Sequence, residues 1–448
     1  MVFSVDNQTI NDLEIFQSGK QKKSLSSFLD LTLTAGGSDR LYRMLNNPAC
    51  DTEILNNRIA AIRFFTENDL MLDTDSQMLD FIEHYLNQSD YPTKFSSLKA
   101  IEKSIRNKLK PSNEFYVKKR GIVYLIDFLD SWHRHIRKFE EIESPGLIKK
   151  YNNDVLRLFN DPVFKEILGY KNKNKINPVA LEKFDHAFRY SHKAPLRFLL
   201  DVTYEYDVFQ AMSRMVSERD FCFPEILTSQ EEILDIKGLF HPLIEQAITN
   251  DVTLTSKSNL AFLTGPNMAG KSTFLKSIGI IAYLAHCGFP VPAKKVRIST
   301  LSGLSTTINI PDNLNLGYSH FYSEVLRIKK VAESMKSNRN MLVIFDELFR
   351  GTNVKDALEG SLAVISAFSQ VKSCFFAIST HIVEIAERLT EKDNILFCFL
   401  EIKSENGMPV YTYKLKEGVT DTRLGMYIIQ QEKIIETIHA ITDKNQNQ

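Results

Sequence analysis

The sequence predicts a mixed fold: a mostly α-helical half over residues 1–225, then an α/β half over 226–448 with a mainly parallel sheet. Three features predict it. Residues 12–224 contain few glycines and long runs with apolar residues three and four apart, the spacing of one helix face. After Cys222-Phe223-Pro224, short apolar runs alternate with helical stretches, as strands joined by crossover helices do. One of these runs, at residues 260–263, passes through a glycine-rich turn into an apolar helical pattern.

In chain order, residues 41–45 and 54–65 have amphipathic helical spacing, with Pro48 as a break and Asp51-Thr52-Glu53 as a cap. Residues 196–215 form a longer candidate, along which Phe198, Leu199, Val202, Tyr206, Phe209, Met212 and Met215 recur. Asp161-Pro162 and residues 171–178 suit loops. The strand candidates are 261–263, 341–345, 374–378, 395–402 and 410–415. There is no internal repeat or low-complexity segment, and residues 443–448 form a polar end expected to fray.

The chain has 448 residues, 43% hydrophobic and 25% charged, with a formal net charge of zero. Such a composition is that of an ordinary soluble globular protein of two or three domains. No apolar run is long enough to span a bilayer, and the N-terminus lacks the pattern of a signal peptide. Cys50, Cys222, Cys287, Cys374 and Cys398 are dispersed without a close pair, which predicts reduced thiols and a cytoplasmic location rather than disulfides or zinc. The charge is uneven. Residues 94–200 carry 23 Lys+Arg against 12 Asp+Glu, a local excess of +11. Lys99, Lys103, Arg106, Lys108 and Lys110 cluster there, as do Lys118, Lys119 and Arg120. A polyanion-facing surface and simple solvation of helices both account for this pattern.

The glycine turn reads Gly265-Pro266-Asn267-Met268-Ala269-Gly270-Lys271-Ser272-Thr273. Strand, G-x-x-x-x-G-K-[ST] and helix together are the context of a phosphate-binding loop. Its glycines let backbone N–H groups face inward, and the helix N-terminus adds partial positive charge. Lys271 is placed to reach the β- and γ-phosphates of a nucleoside triphosphate such as ATP, and Ser272 to hold Mg²⁺. Downstream, the apolar run 341–345 ends in Asp346-Glu347. Asp346 suits the Mg²⁺ side of the site and Glu347 the general base for an attacking water, although the pair would also cap a following helix. The run 374–378 leads to Ser379-Thr380-His381, and His381 at such a strand end is a candidate γ-phosphate sensor or a structural histidine. Residues 312–324 pass through a polar turn with Gly317 and Ser319 into a helix that His320 opens, another N-terminus able to meet a phosphate.

Together these motifs resemble those of the MutS family of DNA mismatch repair ATPases. The glycine loop resembles G-P-N-M-G-G-K-S-T, departing at Ala269. Asp312, Leu314, Gly317, Ser319, Phe321 and Glu324 match D-D-L-x-x-G-x-S-T-F-x-x-E, with departures at Asn313 and His320. Residues 346–352 resemble D-E-x-x-R-G-T, and Thr380-His381 its T-H pair. Thr32, Thr34, Gly37, Arg43, Leu45, Pro48, Ile54 and Arg58 resemble the opening of the family's lever domain. The resemblance implies a helical lever/core domain over 1–225 and a P-loop, ABC-like ATPase domain over 226–448. It implies ATP and Mg²⁺, and a homodimer in which Gly317, Ser319 and His320 complete the neighbour's site. It further implies mismatched or branched duplex DNA as a partner, and a repair-pathway protein beyond it.

The departures carry information as well. The chain opens almost at the lever domain, so the family's mismatch-recognition and connector domains are not expected, and the clamp is reduced or absent. Ala247 stands where the family places an aromatic to stack on adenine, leaving His241, Leu243 or Ile248 as substitutes. An ATP-gated protein-interaction module without direct DNA binding is the alternative reading. A small-molecule kinase leaves Glu347, His381 and the 312–324 turn without a joint purpose. The L-S-G-G-Q signature of a transporter ATPase is imitated only by Leu301-Ser302-Gly303-Leu304, too early in the chain.

Overall fold

The structure is a computed structural model that describes residues 3–17, 23–70, 75–88, 113–140, 142–170, 176–266, 268–308, 320–405, 408–420 and 431–438. The chain forms two compact units. One comprises Met1–Ser27, Pro48–Leu55 and Asp220–Gln448; the other comprises Phe28–Asn47 and Asn56–Arg219. The division differs from a single cut near residue 225. Residues 4–5 pair as a strand with residues 303–304, so the N-terminal segment belongs with the α/β unit.

The helical unit is organised on the helix Lys193–Glu218, buried along most of its length between Leu196 and Met215. Its apolar residues meet Trp132 and Phe139 of the helix Asn113–Glu140 and Phe65 of the helix Thr52–Glu67. Tyr206 stands at the centre, with ring centroids 5.1 Å from Phe65 and 5.7 Å from Trp132. The Trp132 indole N–H donates to Thr203 Oγ1 at 2.9 Å, which satisfies its one donor inside an apolar core.

A fully buried carboxylate on the same helix fixes the start of the next. Asp207 accepts from the backbone N–H of Leu33 and of Thr34 and from Thr34 Oγ1, at 2.9, 2.9 and 2.7 Å. Thr34 in turn caps the helix Ala35–Asn46 by accepting from Gly37 N–H at 2.9 Å. Gly37 is glycine because a Cβ there would lie 2.2 Å from Asp207 Oδ2. A second buried group joins Tyr85, Lys118, Asp185 and Arg189. Asp185 accepts from Tyr85 Oη at 2.7 Å and from both Arg189 Nε and Nη2, at 2.8 and 2.7 Å, with Lys118 Nζ 3.1 Å away. Arg189 projects from a short π-helical turn, Ala187–Ser191.

The α/β unit holds two sheets. Strands are β1 Ser4–Val5, β2 Glu225–Leu227, β3 Ile233–Leu239, β4 Asn250–Thr255, β5 Leu260–Thr264 and β6 Lys295–Ser299. They continue with β7 Gly303–Thr307, β8 Met341–Asp346, β9 Phe375–Thr380, β10 Ile395–Glu405 and β11 Met408–Glu417. The larger sheet has the order β1-β7-β8-β9-β5-β10-β11, parallel except for the β10–β11 hairpin. The smaller has the order β2-β6-β3-β4. β5, β7, β8 and β9 are buried at every residue, which is why they read as unbroken apolar or small-residue runs rather than alternating ones. Phe345 and Phe376 sandwich Phe368 of the helix Val354–Ser369, with centroids 5.6 and 5.1 Å from it.

The mixed architecture with a mostly parallel sheet agrees with expectation, and each of the five strand candidates lies on a strand. The smaller sheet was not foreseen, because β2, β3, β4 and β6 interleave buried apolar residues with polar ones and form no unbroken apolar run. Among the described residues all five cysteines are free, and no helix is long and apolar enough to cross a membrane.

Asp207→Ala would leave three donors without an acceptor, the two on Thr34 buried and the one on Leu33 part-buried. It is expected to lower the unfolding free energy of the helical unit by about 2–5 kcal/mol, read from the denaturant midpoint.

Candidate functional site

Register brings the chemistry together. β5, β8 and β9 are neighbouring parallel strands whose partners run Thr264↔Thr380 and Asp346↔Ser379. Parallel neighbours are about 4.8 Å apart, so residues leaving the carboxyl ends of all three share one small volume.

From β5 the chain turns at Gly265 (φ 142°) and enters the helix Lys271–His286 at Gly270 (φ 98°). Both glycines occupy the left-handed range that L side chains rarely adopt. Met268 also has positive φ, at 68°, and is 77% exposed. Ala269 is buried at 1% and is not among the left-handed residues, so a methyl group in place of the family's glycine fits this backbone. Asn267 lies outside the described residues.

Lys271 Nζ donates to Gly265 O at 2.8 Å and Pro266 O at 3.0 Å, and stands 3.5 Å from Glu347 Oε1. Burial lowers its pKa, with Glu347 and Asp346 opposing that shift. Ser272 Oγ donates to Asp346 Oδ2 at 2.5 Å, and Ser379 Oγ donates to Asp346 Oδ1. Arg350 Nη2 lies 3.3 Å from Asp346 Oδ2 and donates to Asp346 O at 3.0 Å, while its Nε is 3.0 Å from Glu347 Oε2. His381 Nδ1 is 3.5 Å from the same Glu347 oxygen. Burial acts to raise the Glu347 pKa. The His381 hydrogen bond and the charges of Arg350 and Lys271 outweigh it and hold the carboxyl at about 2.

Ser272 and Asp346 present hard oxygen donors to one point. That suits Mg²⁺, which takes one or two protein oxygens and fills its octahedron with phosphate and water. Among the described residues there is no cluster of three or more His, Cys, Asp or Glu side chains that would form an all-protein cage.

A cavity of about 740 Å³ opens beside the glycine loop, lined by Lys271, Ser272, Thr273, Glu347 and Arg350. Phe240, His241, Ile244, Ala247, Ile248 and Tyr413 also line it, the Tyr413 ring 3.1 Å from where a Cβ on Gly270 would stand. His241 is kept neutral by burial, its pKa lowered to about 4 with help from Lys276. Of the three substitutes for the missing aromatic, His241 and Ile248 line the cavity and Leu243 does not. Tyr413 was missed. It arrives from β11, far along the chain, and is held there by Asn250. That side chain donates to Tyr413 O at 2.9 Å and accepts from Leu415 N–H at 2.8 Å. No local pattern around Tyr413 signals this; only the meeting of β4 with β11 does.

Elsewhere the expected residues divide. Gly317 and Ser319 lie outside the described residues, while His320 opens the helix His320–Ser337, its Nδ1 3.5 Å from Glu324 Oε1. Lys99, Lys103, Arg106, Lys108 and Lys110 also lie outside them. Lys119 is exposed, and Arg120 stacks on the Tyr124 ring at 4.3 Å. Lys118 departs from its expected place on a polyanion-facing surface. It is 8% exposed and paired with Glu182 and Asp185, because its position on the helix faces the buried ion cluster.

The geometry defines an α/β protein with a glycine loop and two acids meeting at the ends of parallel strands. Residues 261–447 match the family model for MutS domain V. The DNA mismatch repair protein MutS of Ehrlichia ruminantium (strain Gardel) is 24% identical over 95% of this chain and 63% of its own length. Those of Anaplasma phagocytophilum (strain HZ) and Wolbachia pipientis wMel are 31% and 32% identical, each over 50% of this chain, and over 27% and 26% of their own lengths. The match to the MutS domain V family is carried by residues 261–447, and the chain spans less than two thirds of the length of these relatives.

The depressed Glu347 pKa has a definite sign. Ionised Glu347 stabilises the fold fully above its ordinary value of 4.5, and that contribution is lost as pH falls through about 2. A carboxyl-carbon NMR titration of the ligand-free protein should place its midpoint near 2, and in His381→Ala the midpoint should move upward.

Proposed function

We propose that the chain is a MutS-type ATPase whose nucleotide cycle controls binding of mismatched or branched duplex DNA. The observation that carries this is the convergence of Lys271, Ser272, Asp346, Glu347, Arg350 and His381 beside one cavity. In this reading the α/β unit, residues 226–448 together with the N-terminal segment that pairs with them, is a P-loop, ABC-like ATPase domain, and the helical unit within residues 1–225 is the lever/core domain, in a cytoplasmic protein.

Residues 265–273 wrap the triphosphate with backbone N–H groups, and Lys271 leaves its two carbonyl acceptors for phosphate oxygens. Ser272 and Asp346 would hold Mg²⁺, which when bound neutralises charge on the β- and γ-phosphates. Tyr413 and Ile248 take the adenine between them, replacing the aromatic absent at Ala247. Glu347 accepts a proton from water as its oxygen bonds to the γ-phosphorus and the bond to the β-phosphate oxygen breaks, giving ADP and phosphate. Phosphates entering the cavity compete with Glu347 for Lys271 and Arg350, which raises its pKa from about 2 toward that of a working base. His381 bonds the γ-phosphate and senses its loss. Gly317, Ser319 and His320 complete the site of a second copy, so ATP favours a closed homodimer.

Glu347→Gln is expected to retain ATP while its turnover falls by about 10²–10⁴-fold. Lys271→Ala should lose ATP binding itself. Measured phosphate release at the parental rate in Glu347→Gln would exclude the base assignment.

The helical unit is proposed to grip DNA phosphates through Lys99, Lys103, Arg106, Lys108, Lys110, Lys119 and Arg120, and to hand its state to a repair-pathway protein. Contacts of this kind give affinity without sequence readout. The internal pairing of Lys118 narrows this basic surface and favours, as a second reading, an ATP-gated module that binds a protein instead. Reversing charge at Lys99, Lys103 and Lys108 discriminates. Anisotropy with branched and mismatched duplexes should show weaker binding and a salt slope reduced by roughly one per residue. Equal, negligible affinity of the parent for every DNA form at low salt would leave the protein-binding reading.

A further inference from the structure

The loop that follows β8 turns through left-handed backbone at Glu347 (φ 60°) and again at Phe349 (φ 61°). Neither residue is glycine, so each turn costs about 1–2 kcal/mol and persists only where the surroundings hold it. The sheet holds one side: Glu347 N–H donates to Ser379 O at 3.1 Å. A carboxylate from another element holds the other.

That carboxylate is Glu324, one turn into the helix His320–Ser337 and only 5% exposed. Its Oε1 accepts from Arg350 N–H at 3.1 Å, and its Oε2 lies 3.5 Å from Gly351 N, a longer bond. Loop and helix approach this closely because residue 351 is glycine. A Cβ there would lie 2.7 Å from Phe321 N and 2.8 Å from His320 Cβ. Phe321 and Phe349 pack alongside, with ring centroids 5.4 Å apart. Gly360 leaves room for the Phe349 ring, whose nearest atom would be 3.0 Å from a Cβ at that position.

We propose that Glu324 is a positioning residue for hydrolysis. It fixes the backbone on the far side of Glu347 and so keeps the Glu347 carboxylate and the Arg350 guanidinium in their places at the cavity. This rests on the ATPase reading above. Nucleotide binding draws chiefly on residues 265–273, which Glu324 does not touch, whereas turnover needs the acid loop in register. The first turn of the same helix follows residues 309–319 directly in the chain. A shift of that turn therefore reaches the acid loop through the Glu324 bonds.

The test compares Glu324→Ala and Glu324→Gln with the parent in the full chain. Glu324→Ala should lower kcat by about 10-fold or more, since small displacements of catalytic groups cost up to about 10²-fold. Its Kd for ATP should stay within about twofold, as for a group that acts after binding. Glu324→Gln keeps an oxygen that accepts one N–H, so its kcat should be intermediate. Amide exchange at Arg350 and Gly351 should speed up in Glu324→Ala. Unchanged kcat in both variants overturns the proposal. So does a parallel loss of ATP affinity, kcat and Tm, which marks a residue that only holds the fold. If the parent itself releases no phosphate, the ATPase reading fails; exchange at Arg350 and Gly351 still decides the clamp, and unchanged exchange in Glu324→Ala overturns it.

Discussion

The carboxylate of Asp346 receives a hydroxyl from Ser272, another from Ser379, and the guanidinium of Arg350. The strand-end cluster depends on this junction. A carboxylate 5% exposed would be costly without partners, and here each oxygen has them. Those partners come from three elements: the helix after β5, the end of β9 and the loop after β8. Asp346 therefore ties the glycine loop, the acid loop and the third strand into one body, and it can do so because β9 lies between β8 and β5 in the parallel sheet.

Charge balance follows from that geometry. Lys271 and Arg350 are set against Asp346 and Glu347, with His381 beside them. In the ligand-free chain these groups neutralise one another, which is what holds Glu347 at about 2. The same cations attract a phosphate. An arrangement satisfied internally at rest is one that an anionic ligand competing for Lys271 and Arg350 would reorganise.

The helical unit follows another logic. A few of its ionised groups are buried and directed inward: Asp207 onto the start of one helix, Asp185 onto Tyr85, Lys118 and Arg189, Glu205 onto Arg40. Buried ion pairs of this kind specify one arrangement of helices more than they add stability. They also explain why counting lysines along the chain overstates a basic surface, since Lys118 belongs to the interior.

Much of this protein was legible in its residues. The glycine loop, Asp346-Glu347 and His381 each stand at the end of an apolar run, and an unbroken run of that kind is what a strand buried on both faces requires. The loop's left-handed backbone could likewise be read from Gly265 and Gly270. Other features had no local signature. β2, β3, β4 and β6 are too short or too interrupted by polar residues to stand out, and Tyr413 becomes part of the cavity only where β11 meets Asn250 of β4. Glu324 stands in a recognisable motif, but what its carboxylate holds, the N–H groups of Arg350 and Gly351, has no signature along the chain. The sequence by itself determined which groups the site contains, because strand and loop chemistry is local. The tertiary structure alone decided which of them touch, because hydrogen bonds and ion pairs depend on distances across the fold that no spacing along the chain encodes.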